Sequence, residues 1–341
     1  MRARLKPLRE QVVVITGATS GNGLAAAQGA SQRGARLVLA ARNGEALRRI
    51  AAQLEADGTE VAVVEADVAV DENVERIAAT AIDRFGGFDS WVNDAAAAMY
   101  GRMEDVPMAD HRRVFDVNYF GLLKGSLVAA RHLRAKGGAI INLGSVLSDR
   151  AMIDQGSYSA SKAAVQAATD ALRMELERDR AGISVTLIKP AAIHTPYPEH
   201  ARNFMDEAPQ LPPVLYHPDL VADAILFACE NPRRQLYIGA GGYLISLGGR
   251  LAPRVSDLMM EAFGREAQVT DTPGDPMKRD NLYEPKRDGS VTGGQPRYVR
   301  RTSLLLEAQK NPLLAPVMFG VAGLGVAATM FGGGSRRAAR R

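Results

Sequence analysis

The stretch VVVITGATSGNG, residues 12–23, decides the fold. Val12, Val13, Val14 and Ile15 form a short β-branched run, the composition of a buried strand. Thr16 to Gly23 then places three glycines where the chain turns into a small-residue helix. Glycines there permit a tight turn and a close backbone approach, and the N–H groups opening the helix attract an anion. A pyrophosphate suits that position. Read alone, the turn also fits an ordinary glycine-rich strand-to-helix connection. It is not a P-loop, since no Gly-Lys-Ser/Thr follows. Arg2, Arg4, Lys6 and Arg9 imitate the basic start of a signal peptide, but the apolar run behind them is too short, so none is expected.

Outward from this turn, short apolar runs alternate with alanine-rich amphipathic stretches. Strands are expected at 12–16, 36–41, 60–65, 90–93, 139–143, 184–188 and 235–238. Helices are expected at 23–32, 45–57, 74–85, 111–134, 159–178 and 219–230. Strands apolar throughout and separated by helices indicate a parallel sheet covered on both faces. The expectation is therefore an α/β, doubly wound, Rossmann-type sheet of about seven strands, followed by a C-terminal extension. Three segments are anticipated: a catalytic domain over 1–262, a Gly-, Pro- and charge-rich linker or surface-draped coil over 263–303, and a hydrophobic segment with a basic tail over 304–341.

The net charge of +4 comes from 42 basic and 38 acidic residues. Arg336, Arg337, Arg340 and Arg341 account for the whole excess, so nucleic-acid binding is not expected. Cys229 is the single cysteine, which excludes an intrachain disulfide and points to a reducing, cytoplasmic location. His194, His200 and His217 lack paired ligand spacing, so no metal site is expected.

Tyr158 and Lys162 stand one helical turn apart in GSYSASKAA, 156–164, and so share a face. A free phenol titrates near ~10, and a neighbouring cation is what brings it toward neutral pH. Ser145, at the end of an expected strand, could hold a substrate oxygen beside that phenol. The second strand ends in Ala40-Ala41-Arg42, with no acid before Glu45. An arginine at this point suits the 2′-phosphate of NADP, where an acid would suit NAD.

In order and spacing these residues resemble the short-chain dehydrogenases/reductases, over roughly 11–239. Thr16, Gly17, Gly21 and Gly23 match that family's TGxxxGxG turn, with Ser20 and Asn22 inside it, and Tyr158 and Lys162 match its YxxxK. Ser145 and Asn118 lie at the family's distances before the tyrosine. The resemblance implies that Tyr158 exchanges a proton with the substrate oxygen, that Lys162 lowers the tyrosine's pKa and bonds the nicotinamide ribose, and that Ser145 orients the substrate. Asn118 would hold a proton-relaying water. Asp67 would bind the adenine amino group, and Thr195 the carboxamide side of the cofactor. Val68, Asn93, Pro190 and Ile193 complete the implied NADP site. Two departures stand out: Asn93-Asp94-Ala95-Ala96 replaces Asn-Asn-Ala-Gly, and Pro190-Ala191 replaces Pro-Gly. Other readings are a non-catalytic member that senses cofactor or scaffolds a membrane complex, and an epimerase or dehydratase of the long-chain branch. The second usually spaces its glycines as TGxxGxxG.

Tyr197, Phe204, Met205, Leu211 and Leu215 in an expected lid, with Met99, Tyr100, Leu147, Met152 and Ile153 nearby, favour a lipophilic carbonyl or alcohol. Residues 313–334 carry no charge and would span about 33 Å as a helix, though Pro316 and six glycines weaken that helix. Residues 243–260 read as a basic amphipathic stretch. Membrane association through the C-terminus and a homo-oligomer are the expectations.

Overall fold

The computed structural model describes residues 3–275, 278–286 and 288–311. Seven strands form one parallel sheet: β1 (Val12–Thr16), β2 (Arg36–Ala41), β3 (Val61–Glu65), β4 (Ser90–Asn93), β5 (Gly138–Leu143), β6 (Ile183–Pro190) and β7 (Gln235–Ile238). Their order is β7-β6-β5-β4-β1-β2-β3. β1 is the pivot, with Val14 opposite Val38 on one side and Trp91 on the other. The connections reverse direction between β1 and β4, which opens a crevice at their carboxyl ends.

Alternation along β1 divides the core between the two faces. Val13 and Ile15 pack with α1 (Gly21–Gln32) and α2 (Gly44–Ala56), and with the helix Pro218–Glu230. Val12 and Val14 pack with α3 (Asp71–Phe85), α4 (Met108–Phe115), α5 (Leu122–Leu133) and α6 (Gly156–Arg178). Pro218–Glu230 is α7, and α8 (Ala240–Leu251) and α9 (Pro253–Phe263) follow β7. The single helix expected over 111–134 is instead broken by a π-helical stretch, Asp116–Gly121. Its final residue has no side chain because Val68 crosses there; a Cβ on Gly121 would lie 2.8 Å from the Val68 carbonyl oxygen.

Past α9 the chain folds back onto the domain. Val269–Pro273 pairs antiparallel with Glu207–Pro209, Val299–Arg300 pairs with Leu215–Tyr216, and α10 (Leu304–Lys310) packs on β7. The uncharged run 313–334 lies outside the described residues. Among the described residues no helix is long and apolar enough to cross a membrane.

Candidate active site

A cavity of about 390 Å³ occupies the crevice above β1 and β4. Gly17, Ser20, Gly21, Asn22, Arg42, Asp67, Val68, Ser145, Tyr158, Lys162, Pro190, Ile193 and Thr195 all line it. Thr16, Gly23, Asn93 and Asn118 do not; each supports the wall from behind.

Thr16 Oγ1 accepts from the Asp94 and Ala95 N–H groups at 3.2 and 3.3 Å, which ties the end of β1 to the loop after β4. Gly17 adopts φ +73°, and a Cβ there would lie 2.8 Å from the Ala95 backbone. Gly23 packs against the Gly17 carbonyl and 2.7 Å from Asp94 Oδ2 as measured from where its Cβ would be. Across the cavity Thr195 approaches Gly21 closely enough that an added Cβ would sit 3.2 Å away. These contacts keep open the cradle a pyrophosphate needs. Asn22 Oδ1 is buried without a partner in the same place. The residues present therefore fit a dinucleotide.

Asn93 is spent inside the sheet. Its Oδ1 accepts from Trp91 Nε1 at 2.7 Å, and its Nδ2 donates to Ser126 and Asn142. Asn118 uses both amide hydrogens, donating to the Ala97 carbonyl at 2.9 Å and Ser161 Oγ at 3.0 Å, while its Oδ1 accepts from Ala97 N–H. Any water it holds toward Lys162 is left to its main chain or the second lone pair of Oδ1.

Tyr158 and Lys162 stand one turn apart on α6. The ammonium lies 5.7 Å from the tyrosine ring centroid and donates to the Leu143 carbonyl at 2.8 Å. Ser145 lines the cavity beside the phenol and caps the short turn after β5, accepting from Leu147 N–H. Burial pushes the phenol above its ordinary range; Ser145 opposes the rise and Asp94 adds to it. The lowering expected from Lys162 is not what the structure shows: the phenol, raised by burial, keeps its proton at neutral pH and can donate it. Burial lowers Lys162 to about 8, with Asp94 opposing. Asp94 itself is raised to about 7 by burial, against the pull of Lys162 and a bond from Gly23 N–H.

At the other end of the cavity both Asp67 carboxylate oxygens are engaged, Oδ1 by Ala69 N–H at 3.0 Å and Oδ2 by Arg113 at 2.5 Å. Arg42 donates to three backbone carbonyls of residues 281–283. Arg113 and the wall formed by Asn281, Pro285, Lys286 and Asp288 were missed from the sequence. Asp94 was marked in the sequence only as part of the departure Asn93-Asp94-Ala95-Ala96, with no role given to its carboxylate.

The substrate end is walled by Leu147, Met152, Tyr197 and Leu211, joined by Val146 and Ile245. Phe204, Met205, Leu215, Met99, Tyr100 and Ile153 do not line it. Tyr100 instead packs edge-on to Tyr197 at 6.0 Å, and Tyr197 edge-on to Tyr158 at 5.4 Å. The Tyr197 hydroxyl donates to Gln155, which also faces the cavity.

A model of the short chain dehydrogenase family matches residues 11–206. The chain belongs to that family and is an oxidoreductase of it. The uncharacterized oxidoreductase YxnA of Bacillus subtilis is 41% identical over 326 residues, covering 95% of this chain and 91% of the relative. Among solved structures, a short chain dehydrogenase from Burkholderia cenocepacia in complex with NADP superimposes with a TM-score of 0.63 at 26% identity, over 75% of this chain and 99% of its own. One from Burkholderia phymatum in complex with NAD superimposes with a TM-score of 0.65 at 26% identity, over 80% of this chain and all of its own.

Proposed function

We propose that the protein reduces a lipophilic carbonyl, or oxidises the matching secondary alcohol, with NADP(H). The observation that carries this reading is that Ser145, Tyr158 and Lys162 line one cavity, with the Lys162 ammonium 5.7 Å from the phenol ring. When bound, the nicotinamide supplies or accepts the hydride. The chain's own groups do the rest. Ser145 orients the substrate oxygen, Tyr158 donates a proton to it in reduction, and the Lys162 charge stabilises the phenolate left behind. Arg42 and the lack of an acid at the end of β2 support NADP. Acids crowd the same place, with Asp67, Asp280 and Asp288 all acting on Arg42, so NAD is the second reading. Turnover of a panel of carbonyls with NADPH and NADH, with dissociation constants for both, is the test. Preference for NADPH on apolar ketones or aldehydes is expected; equal affinity for the two cofactors would refute the NADP assignment.

The same reading extends to a membrane surface. Leu244, Leu247, Leu251, Val255, Met259 and Phe263 are exposed on α8 and α9, beside Arg250 and Arg254. Ile245 on α8 lines the cavity, so a lipophilic substrate could enter from this face. The uncharged run 313–334 adds to this support. Flotation of the full chain with liposomes is expected; a monodisperse protein that stays at the bottom of the gradient without detergent would refute it.

A further inference from the structure

Residues 278–286 and 288–294 cross the mouth of the cavity and are bonded to its walls at several points. Arg42 Nη2 donates to the Asn281 carbonyl at 2.5 Å, and Nη1 to those of Leu282 and Tyr283 at 3.4 and 3.1 Å. Arg113 Nε reaches the Leu282 carbonyl at 3.0 Å. The Leu282 side chain is fully buried in the cluster that holds Val68 and Val117. Farther along, Thr19 Oγ1 donates to Asp288 at 2.8 Å and Gly289 N–H to the Thr19 carbonyl at 2.9 Å. The Gly21 N–H, opening α1, donates to the Ser290 carbonyl at 3.0 Å.

The same stretch is tied to the substrate side. Asn281 N–H donates to the His200 carbonyl at 2.9 Å and Lys286 Nζ to the Glu199 carbonyl at 2.6 Å. Asn281 and Lys286 both line the cavity, and Asn281 Oδ1 is buried without a partner.

We propose that residues 278–286 and 288–294 are a strap belonging to the cofactor site, closing over the adenosine and phosphate end of the dinucleotide, so that cofactor exchange requires the strap to detach. The proposal rests on the reading that this cavity binds a nicotinamide dinucleotide. The strap leaves the cavity continuous, since Arg42, Asp67 and Val68 still line it with Tyr158 and Lys162, but its Ser290 carbonyl takes the Gly21 N–H, a contact that a bound phosphate must share or displace. Its chemistry suits that ligand. The orphaned Asn281 oxygen accepts from a ribose hydroxyl or an exocyclic amine, and Lys286 brings a cation to the phosphates. Arg42 has five N–H donors, so three carbonyl contacts leave two for a phosphate. Similarity to YxnA covers 95% of this chain and so runs through the strap, whereas the family match ends at residue 206.

NADPH fluorescence in stopped flow, with displacement by excess NADP, measures exchange directly. Leu282→Ala removes the buried anchor, and Asp288→Ala, a milder change, removes the bond to Thr19. Each is expected to speed NADPH dissociation by on the order of tenfold, the scale of one or two lost hydrogen bonds or their equivalent in packing. In the wild-type protein, amide hydrogen exchange within 278–286 and 288–294 is expected to slow when NADPH is added. Unchanged dissociation in both variants, with strap exchange indifferent to NADPH, overturns the strap while leaving cofactor binding intact. Failure of the wild-type chain to bind either NADPH or NADH overturns the cofactor reading and the strap with it.

Discussion

Asp94, just past the end of β4, and Lys162, in the second turn of α6, face one cavity, and each resists the loss of charge that burial imposes on the other. Asp94 stands where the family places asparagine. Lys162 titrates at about 8 with Asp94 holding its proton in place. Asp94→Asn removes that hold, so Lys162 loses its proton at lower pH and the alkaline limb of the rate profile moves acidward. Tyr158, which Asp94 raises, moves in the same direction. The alkaline limb of the kcat profile should therefore lie at lower pH in the variant. A profile that stays put, or moves to higher pH, contradicts the coupling.

The sheet and its catalytic face were legible because their signals are local. Val12–Ile15 is apolar at every position, Tyr158 and Lys162 are one helical turn apart, and the glycines sit where strand meets helix. The strap was not legible, for a physical reason. It binds mostly through main-chain carbonyls and amides, which any sequence possesses, and its contacts to Arg42 lie about 240 positions away. A stretch rich in Gly, Pro and charge has no period to betray which side faces protein. Asn93 and Asn118 show the converse: both positions were marked, but their side chains serve the scaffold that holds the site.

Gly23→Ala tests the cradle. The new methyl would press on the Gly17 carbonyl and approach Asp94 Oδ2 to 2.7 Å, with backbone on one side. The turn must shift, at a cost of about 1–3 kcal/mol in stability. Thermal unfolding should fall accordingly, and NADPH affinity should fall with it. Wild-type values of both would show that the turn is not close-packed there.

Stability of the loop behind Ser145 depends on a buried ion pair. Lys189 Nζ and Asp149 Oδ2 are 2.5 Å apart with both side chains fully buried, and Gln166 and Tyr237 add bonds to the ammonium. Asp149 also pairs with Arg250 of α8, joining the active-site loop to the apolar hairpin. Asp149→Ala leaves Lys189 buried without its counter-ion, which costs about 3–5 kcal/mol. Denaturant unfolding should register that loss; a midpoint within error of wild type would mean that the lysine finds another partner.

The central claim is that Tyr158 moves the proton while other groups hold the cofactor, and Tyr158→Phe tests it most directly. The ring still packs against Tyr197, and only the hydroxyl is removed. Nicotinamide absorbance should report a fall in kcat of about 10²–10⁴, the usual contribution of general acid–base catalysis, on the best carbonyl found. NADPH titrations on the same preparation should give an affinity close to wild type. A variant that binds NADPH normally and keeps the wild-type kcat would contradict the account.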